Sequence, residues 1–101
     1  MQTIINGKKY DTETAKVISA YISSDLSESG HVVEILYQKK TGEFFIFGEG
    51  GEMTPYSKVC RDGTLCGSSR IIPISEKKAK AFVEEYGDSE EYEEAFGEVE
   101  E

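Results

Sequence analysis

The sequence predicts an α+β fold: a small antiparallel sheet built around a central hairpin, packed with one N-terminal helix and two C-terminal helices. Three observations carry this expectation. Residues 32–38 and 44–47 are rich in β-branched and aromatic side chains and are joined by the short polar run Lys39-Lys40-Thr41-Gly42. A glycine at the end of such a connection takes the positive φ that closes a short hairpin loop. Thr14, Val17, Ile18, Tyr21 and Ile22 fall at spacings of three and four, as do Ala79, Phe82, Val83 and Tyr86. That spacing marks the apolar stripe of an amphipathic helix.

Taken in order, Thr3-Ile4-Ile5 is a strand candidate and Asn6-Gly7 a tight turn returning through Lys8-Lys9-Tyr10. Asp11 or Thr12 can cap a helix running to about Ser23. Residues 23–30 form a polar connection with room for one helical turn. In the hairpin, Val33, Ile35 and Tyr37 alternate with Val32 and Leu36, so both faces are apolar and both require cover. Helices are expected on one face and a loop or partner on the other.

Gly48-Glu49-Gly50-Gly51 is expected to break the second hairpin strand and to open an irregular segment over 48–69, in which part of 53–59 could pair as a strand. A loop of about 20 residues in a compact domain is more often functional or mobile than idle. Residues 70–74 read as a strand that Pro73, lacking an N–H, confines to an edge. Ser75 caps a helix from Glu76 to Tyr86, stopped by Gly87. Asp88 and Glu91 have the spacing of a capping box, opening a short helix to about Phe96 that Gly97 ends. The chain thus reads as one domain over 1–97, with 98–101 as a frayed acidic end.

The chain has 101 residues and a formal net charge of −9. That excess is confined to its end. Residues 1–83 hold 10 acidic and 11 basic side chains, whereas residues 84–101 hold 10 acidic and no basic ones. No run reaches the roughly 20 apolar residues of a membrane span. The N-terminus lacks a basic region followed by an apolar one, so a cytoplasmic address is expected, with Cys60 and Cys66 reduced.

The acidic end is the sharpest functional feature. On a helical wheel Glu90, Glu93 and Glu94 point away from Tyr92, Ala95 and Phe96, with Glu91 at the flank; Glu84 and Glu85 point away from Phe82, Val83 and Tyr86. With Asp88 these seven carboxylates are the candidate partner-binding residues. A single-sign field suits a basic partner surface, such as a nucleic-acid-binding cleft in which carboxylates stand in for phosphates. The blander alternative is a solvated acidic face.

Other constellations carry less. The glycine-rich run at 48–51 is not followed by Gly-Lys-Ser/Thr and is better read as a close approach of backbones than as a phosphate loop. A zinc site takes four ligands, or three and a water, and His31 is the only soft candidate beside Cys60 and Cys66, so no metal or other cofactor is expected. A His31–cysteine dyad is conceivable, but a lone histidine at a strand start needs no role, and the chain is read as non-enzymatic. Tyr37, Phe44, Phe45, Phe47 and Tyr56 could stack bases, but on an acidic chain core packing is the better reading, and direct nucleic-acid binding is not expected.

Several stretches together resemble a family of small acidic proteins from phages and mobile elements of Gram-positive bacteria. They are Tyr10-Asp11-Thr12-Glu13-Thr14-Ala15 after Ile-Asn-Gly-Lys, Leu36-Tyr37, Lys40-Thr41-Gly42-Glu43-Phe44-Phe45, Gly48-Glu49-Gly50-Gly51-Glu52-Met53-Thr54 and Ile71-Ile72-Pro73-Ile74-Ser75-Glu76. Some similar proteins are anti-CRISPR inhibitors of type II-A Cas9. The resemblance implies a protein partner with a basic surface, with Cas9 as the candidate, whose guide and target lie in positively charged channels. Residues 60–69 depart from the aromatic and glycine-rich pattern of that family, so a role of this loop need not carry over. The alternative is a non-enzymatic accessory protein of a mobile element that contacts another host protein through the 48–69 loop.

Overall fold

A computed structural model describes every residue except Leu26 and Glu101. Ten elements follow in the order β1 (Gln2–Ile5), β2 (Lys8–Asp11), β3 (Lys16–Ile22), β4 (Val32–Gln38), β5 (Phe44–Gly50), β6 (Lys58–Val59), β7 (Leu65–Cys66), β8 (Ser68–Ile74), α1 (Glu76–Tyr86) and α2 (Ser89–Phe96). The main sheet is antiparallel with order β3-β4-β5-β8, and two two-stranded hairpins, β1-β2 and β6-β7, stand beside it. The α+β class is as predicted. The central hairpin pairs Leu36 with Ile46 and Tyr37 with Phe45, and Gly42 turns it at φ 95°. Pro73 lies on β8, an edge strand, as its missing N–H requires.

The predicted N-terminal helix is absent: its residues form a turn followed by β3. The Asp11 carboxylate does accept from the Glu13 N–H, and the Ala15 N–H reaches the Asp11 carbonyl, but this single turn does not propagate. Lys16-Val-Ile-Ser-Ala-Tyr-Ile is rich in β-branched and aromatic residues, which favour a pleated strand next to β4. The helical spacing did not mark one buried face: of its five residues only Ile18 and Tyr21 turn inward, whereas Thr14, Val17 and Ile22 are exposed. The register shifts between Val17 and Ser19, so Ile18 and Ser19 are both buried while Val17 and Ile22 are exposed. One extra residue in a strand breaks its period of two, so β3 shows no clean alternation of buried and exposed positions.

Both faces of the hairpin are covered, by different elements. On one face Ile18, Leu36 and Phe44 pack with Ala79, Phe82 and Val83 of α1, and Tyr92, Ala95 and Phe96 of α2 close over them. On the other, Tyr37, Phe45 and Ile71 pack with Tyr10 from the β1-β2 hairpin. Tyr37 and Phe45 stack at 5.1 Å, and Tyr10 meets Phe45 edge-on at 5.5 Å. The expectation of helices on one face holds; the other face, expected to be covered by a loop or a partner, is covered by the β1-β2 hairpin. Of the aromatics that could stack bases, Tyr37, Phe44 and Phe45 on the sheet and Tyr56 beyond it are buried, and Phe47 is half-buried.

β5 runs through Gly50 rather than stopping at Phe47, which corrects the expected break at Gly48. The glycines make room instead. A Cβ on Gly48 would enter the Tyr56 ring, and one on Gly51 would meet the backbone of Glu28 and Ser29. The segment after β5 thereby folds back on the helix-side face beyond the helices. There the Tyr56 hydroxyl donates to the half-buried Glu34 carboxylate, and the Arg70 guanidinium lies 5.2 Å from the Tyr56 ring.

Cys60 and Cys66, expected as free thiols, are disulfide-bonded. Pairing of β6 with β7 brings their Cα atoms to 5.9 Å, within the reach of a disulfide.

Candidate functional site

The two C-terminal helices start and stop where local chemistry dictates. The Ser75 hydroxyl accepts from the Lys78 N–H at 3.2 Å, capping α1, and the Gly87 N–H closes its last turn on the Val83 carbonyl. The Asp88 carboxylate then accepts from the Glu91 N–H at 2.9 Å, and the Glu91 carboxylate from the Asp88 N–H at 3.2 Å. This reciprocal capping box fixes where α2 begins. An eight-residue helix would not persist alone in water. Tyr92, Ala95 and Phe96 pack on the core and dock it, with the Phe96 ring 5.4 Å from that of Phe44.

The seven candidate carboxylates fall into two groups. Three have structural work. Asp88 caps α2. The Glu91 carboxylate accepts a second hydrogen bond, at 3.0 Å, from the hydroxyl of buried Ser19 and so ties α2 to β3. Glu94 is paired with Lys16 at 2.9 Å. The other four, Glu84, Glu85, Glu90 and Glu93, are exposed and form no ion pair among the described residues. Beside them, Tyr86 packs on Tyr21 at 4.4 Å. Its phenol is pushed above its ordinary range, by partial burial first and then by the negative charge of Glu85.

Position along the helices sharpens the distinction. Glu90 lies in the first turn of α2, where the helix dipole favours a negative charge. Glu84 and Glu85 lie in the last turn of α1, and Glu93 in the last turn of α2, where the dipole opposes one; neither last turn carries a basic residue. Neither capping nor ion pairing explains these three carboxylates.

Between the end of α1 and the start of α2 lies a groove of about 340 Å³, with Val83, Tyr92 and Val99 as its apolar lining and Glu84, Asp88 and Glu93 on its rim. The sequence reading took Val83 and Tyr92 as core and gave Val99 no role. Nor did it pair Lys16 with Glu94, which are 78 positions apart. The capping-box spacing was the one local signal, and it correctly marked Glu91.

The remaining candidates are placed without chemistry. His31 Nδ1 hydrogen-bonds with the Glu28 carbonyl at 3.0 Å, and Cys60 is held in the disulfide. A wider cleft of about 870 Å³ has Glu28, Glu49, Glu52, His31 and Lys58 among its lining residues. Among the described residues, no group of three or more His, Cys, Asp or Glu is placed to hold a metal ion, and no helix is long and apolar enough to cross a membrane.

No protein-family model, curated protein or solved structure matches the chain.

Proposed function

We propose that the outer surface of α1 and α2 binds a basic surface on a partner protein, with Glu84, Glu85, Glu90 and Glu93 occupying sites otherwise used by nucleic-acid phosphates. One observation carries this reading: three of these carboxylates sit where the helix dipoles oppose them, in last turns without a basic residue and in no ion pair among the described residues. A charge held against local stability, in a stretch of 10 acidic and no basic residues, is accounted for by a use outside the fold. The family resemblance supplies the candidate partner, type II-A Cas9, whose guide and target lie in positively charged channels. Asp88, Glu91 and Glu94 hold α2 in place and support the face from within.

The test is co-purification with type II-A Cas9, with and without guide RNA, at low and high salt. Capture of guide-free Cas9 that weakens as salt rises supports occupation of the nucleic-acid channel. Absence of capture under every condition removes Cas9 as the partner.

A second reading places the contact on the β6-β7 hairpin. Its cross-strand partners Val59 and Leu65 are 70% and 55% exposed, and Lys58 and Arg61 are exposed beside them. In that reading an accessory protein of a mobile element docks on another host protein through this hairpin. Val59→Ser with Leu65→Ser would abolish the interaction, whereas neutralising the helical carboxylates would not.

A further inference from the structure

The acidic surface is not uniform: Glu84, Asp88 and Glu93 share the lining of a depression with apolar side chains. Val83 forms part of the core, yet it also reaches the groove between α1 and α2, where the Tyr92 side chain and the 56%-exposed Val99 complete an apolar lining. A volume of about 340 Å³ lies at the lower end of the range for small-ligand sites. Glu84 and Glu93, neither of them in an ion pair among the described residues, rim the groove with Asp88. Phosphate mimicry needs only the carboxylates; an apolar floor between them does nothing for a purely electrostatic contact.

We propose that this groove takes a protein segment in which a bulky apolar side chain is flanked by lysine or arginine, the apolar group entering between Val83, Tyr92 and Val99 and the cations meeting Glu84, Asp88 and Glu93. This rests on the acidic face being a docking surface and names the segment that the face selects. Charge complementarity decides among occupants. Nucleic acid and anionic lipid headgroups are repelled by the rim, a neutral apolar segment leaves the rim unanswered, and a second copy of a chain with net charge −9 approaches against its own field. Burial of one anchor in a depression ringed by charges is the arrangement in which a few residues dominate an interface.

The experiment is a titration of the uniformly ¹⁵N-labelled full chain with two capped peptides, Lys-Arg-Leu-Phe-Arg-Lys and the same sequence with both apolar residues replaced by glycine. The first should bind at least tenfold more tightly and shift the amides of Val83, Gly87, Tyr92 and Val99. The second should shift mainly those of Glu84, Glu85, Glu90 and Glu93. Val99→Asp, at an exposed position beyond α2, should leave the melting temperature unchanged and reduce the preference for the apolar peptide to less than about threefold. Equal affinity for the two peptides, or an unchanged preference in Val99→Asp, overturns the groove while leaving the acidic face as a docking surface. Failure of both peptides to shift any amide of the face overturns both readings. Concentration-dependent shifts of the same amides without peptide would assign the groove to a second copy and overturn the proposal.

Discussion

Replacing Glu84, Glu85 and Glu93 together by glutamine should move stability and binding in opposite directions. Each carboxylate lies in the last turn of its helix, exposed and in no ion pair among the described residues. A charge of unfavourable sign at such a position costs about 0.3–1 kcal/mol at low ionic strength. Taking the lower bound for three exposed groups, the triple variant gains about 1 kcal/mol, which for a domain of this size raises the melting temperature by about 4 °C. Glutamine keeps the side-chain length and helix propensity, so packing is not disturbed. The gain should fade as salt shortens the Debye length from about 10 Å at 0.1 M to about 3 Å at 1 M. The assay is thermal unfolding at those two salt concentrations, run beside capture of the partner. Higher stability at low salt, together with loss of capture, is the expected result. A lower melting temperature would refute the reasoning, because it would mean that these charges serve the fold. A stabilised variant that still captured its partner would leave the dipole argument standing and remove the binding role.

Tyr56→Phe removes the donor facing the half-buried Glu34 carboxylate and should cost about 1–3 kcal/mol in urea unfolding; a cost near zero would mean that water replaces the hydroxyl. Gly48→Ala drives a methyl group into the Tyr56 ring and should cost about 1–3 kcal/mol by the same measurement, but much less when introduced into a Tyr56→Ala background, where the ring is gone. Lys8 first, then Lys39 and Thr41, hold the Glu43 carboxyl down to about 2. Because an unfolded glutamate titrates near 4.3, the stabilisation is present above that pH and lost as pH falls through about 2; Glu43→Gln should flatten the acid limb of melting temperature against pH between about 5 and 2. Glu91→Ala removes the capping box and strands the buried Ser19 hydroxyl, so hydrogen-exchange protection of the α2 amides should fall far more than in Glu90→Ala.

Much of the fold was legible because local chemistry and global packing agree over most of the chain. Ser75, Gly87, Asp88 with Glu91, and Gly97 set the ends of both helices with signals contained within a few residues. The hairpin was legible for the same reason, since its loop needs positive φ where Gly42 stands. β3 was not. Its bulge at Val17/Ser19 is imposed by pairing with β4, and no residue within β3 announces it. The extension of β5 through Gly50 was hidden likewise, because what the glycines accommodate (Tyr56, Ser29 and Glu28) lies outside the strand and meets it only in the folded chain. For the candidate site, helical spacing found which carboxylates leave the core. It could not separate Glu94 and Glu91, engaged by Lys16 and Ser19 from β3, from those that remain free. That division depends on long-range contacts that only the folded chain creates.

The two candidate contact surfaces rest on different supports, and this makes them separable by mutation. The helix-side face of the sheet is covered in two pieces: α1 and α2 over Leu36 and Phe44, and the segment after β5 over Gly48, where Tyr56, Glu34 and Arg70 hold it. The acidic face belongs to the first piece. The β6-β7 hairpin continues from the second, closed on itself by its disulfide. Sites without shared partners add within about 0.3–0.5 kcal/mol. Combining Val59→Ser and Leu65→Ser with the three helical glutamines should therefore give a change in unfolding free energy equal to the sum of the parts. In binding, one set should carry the whole effect and the other none. A coupling above about 1 kcal/mol in either quantity would mean that the partner, or the sheet itself, joins the two pieces into one surface.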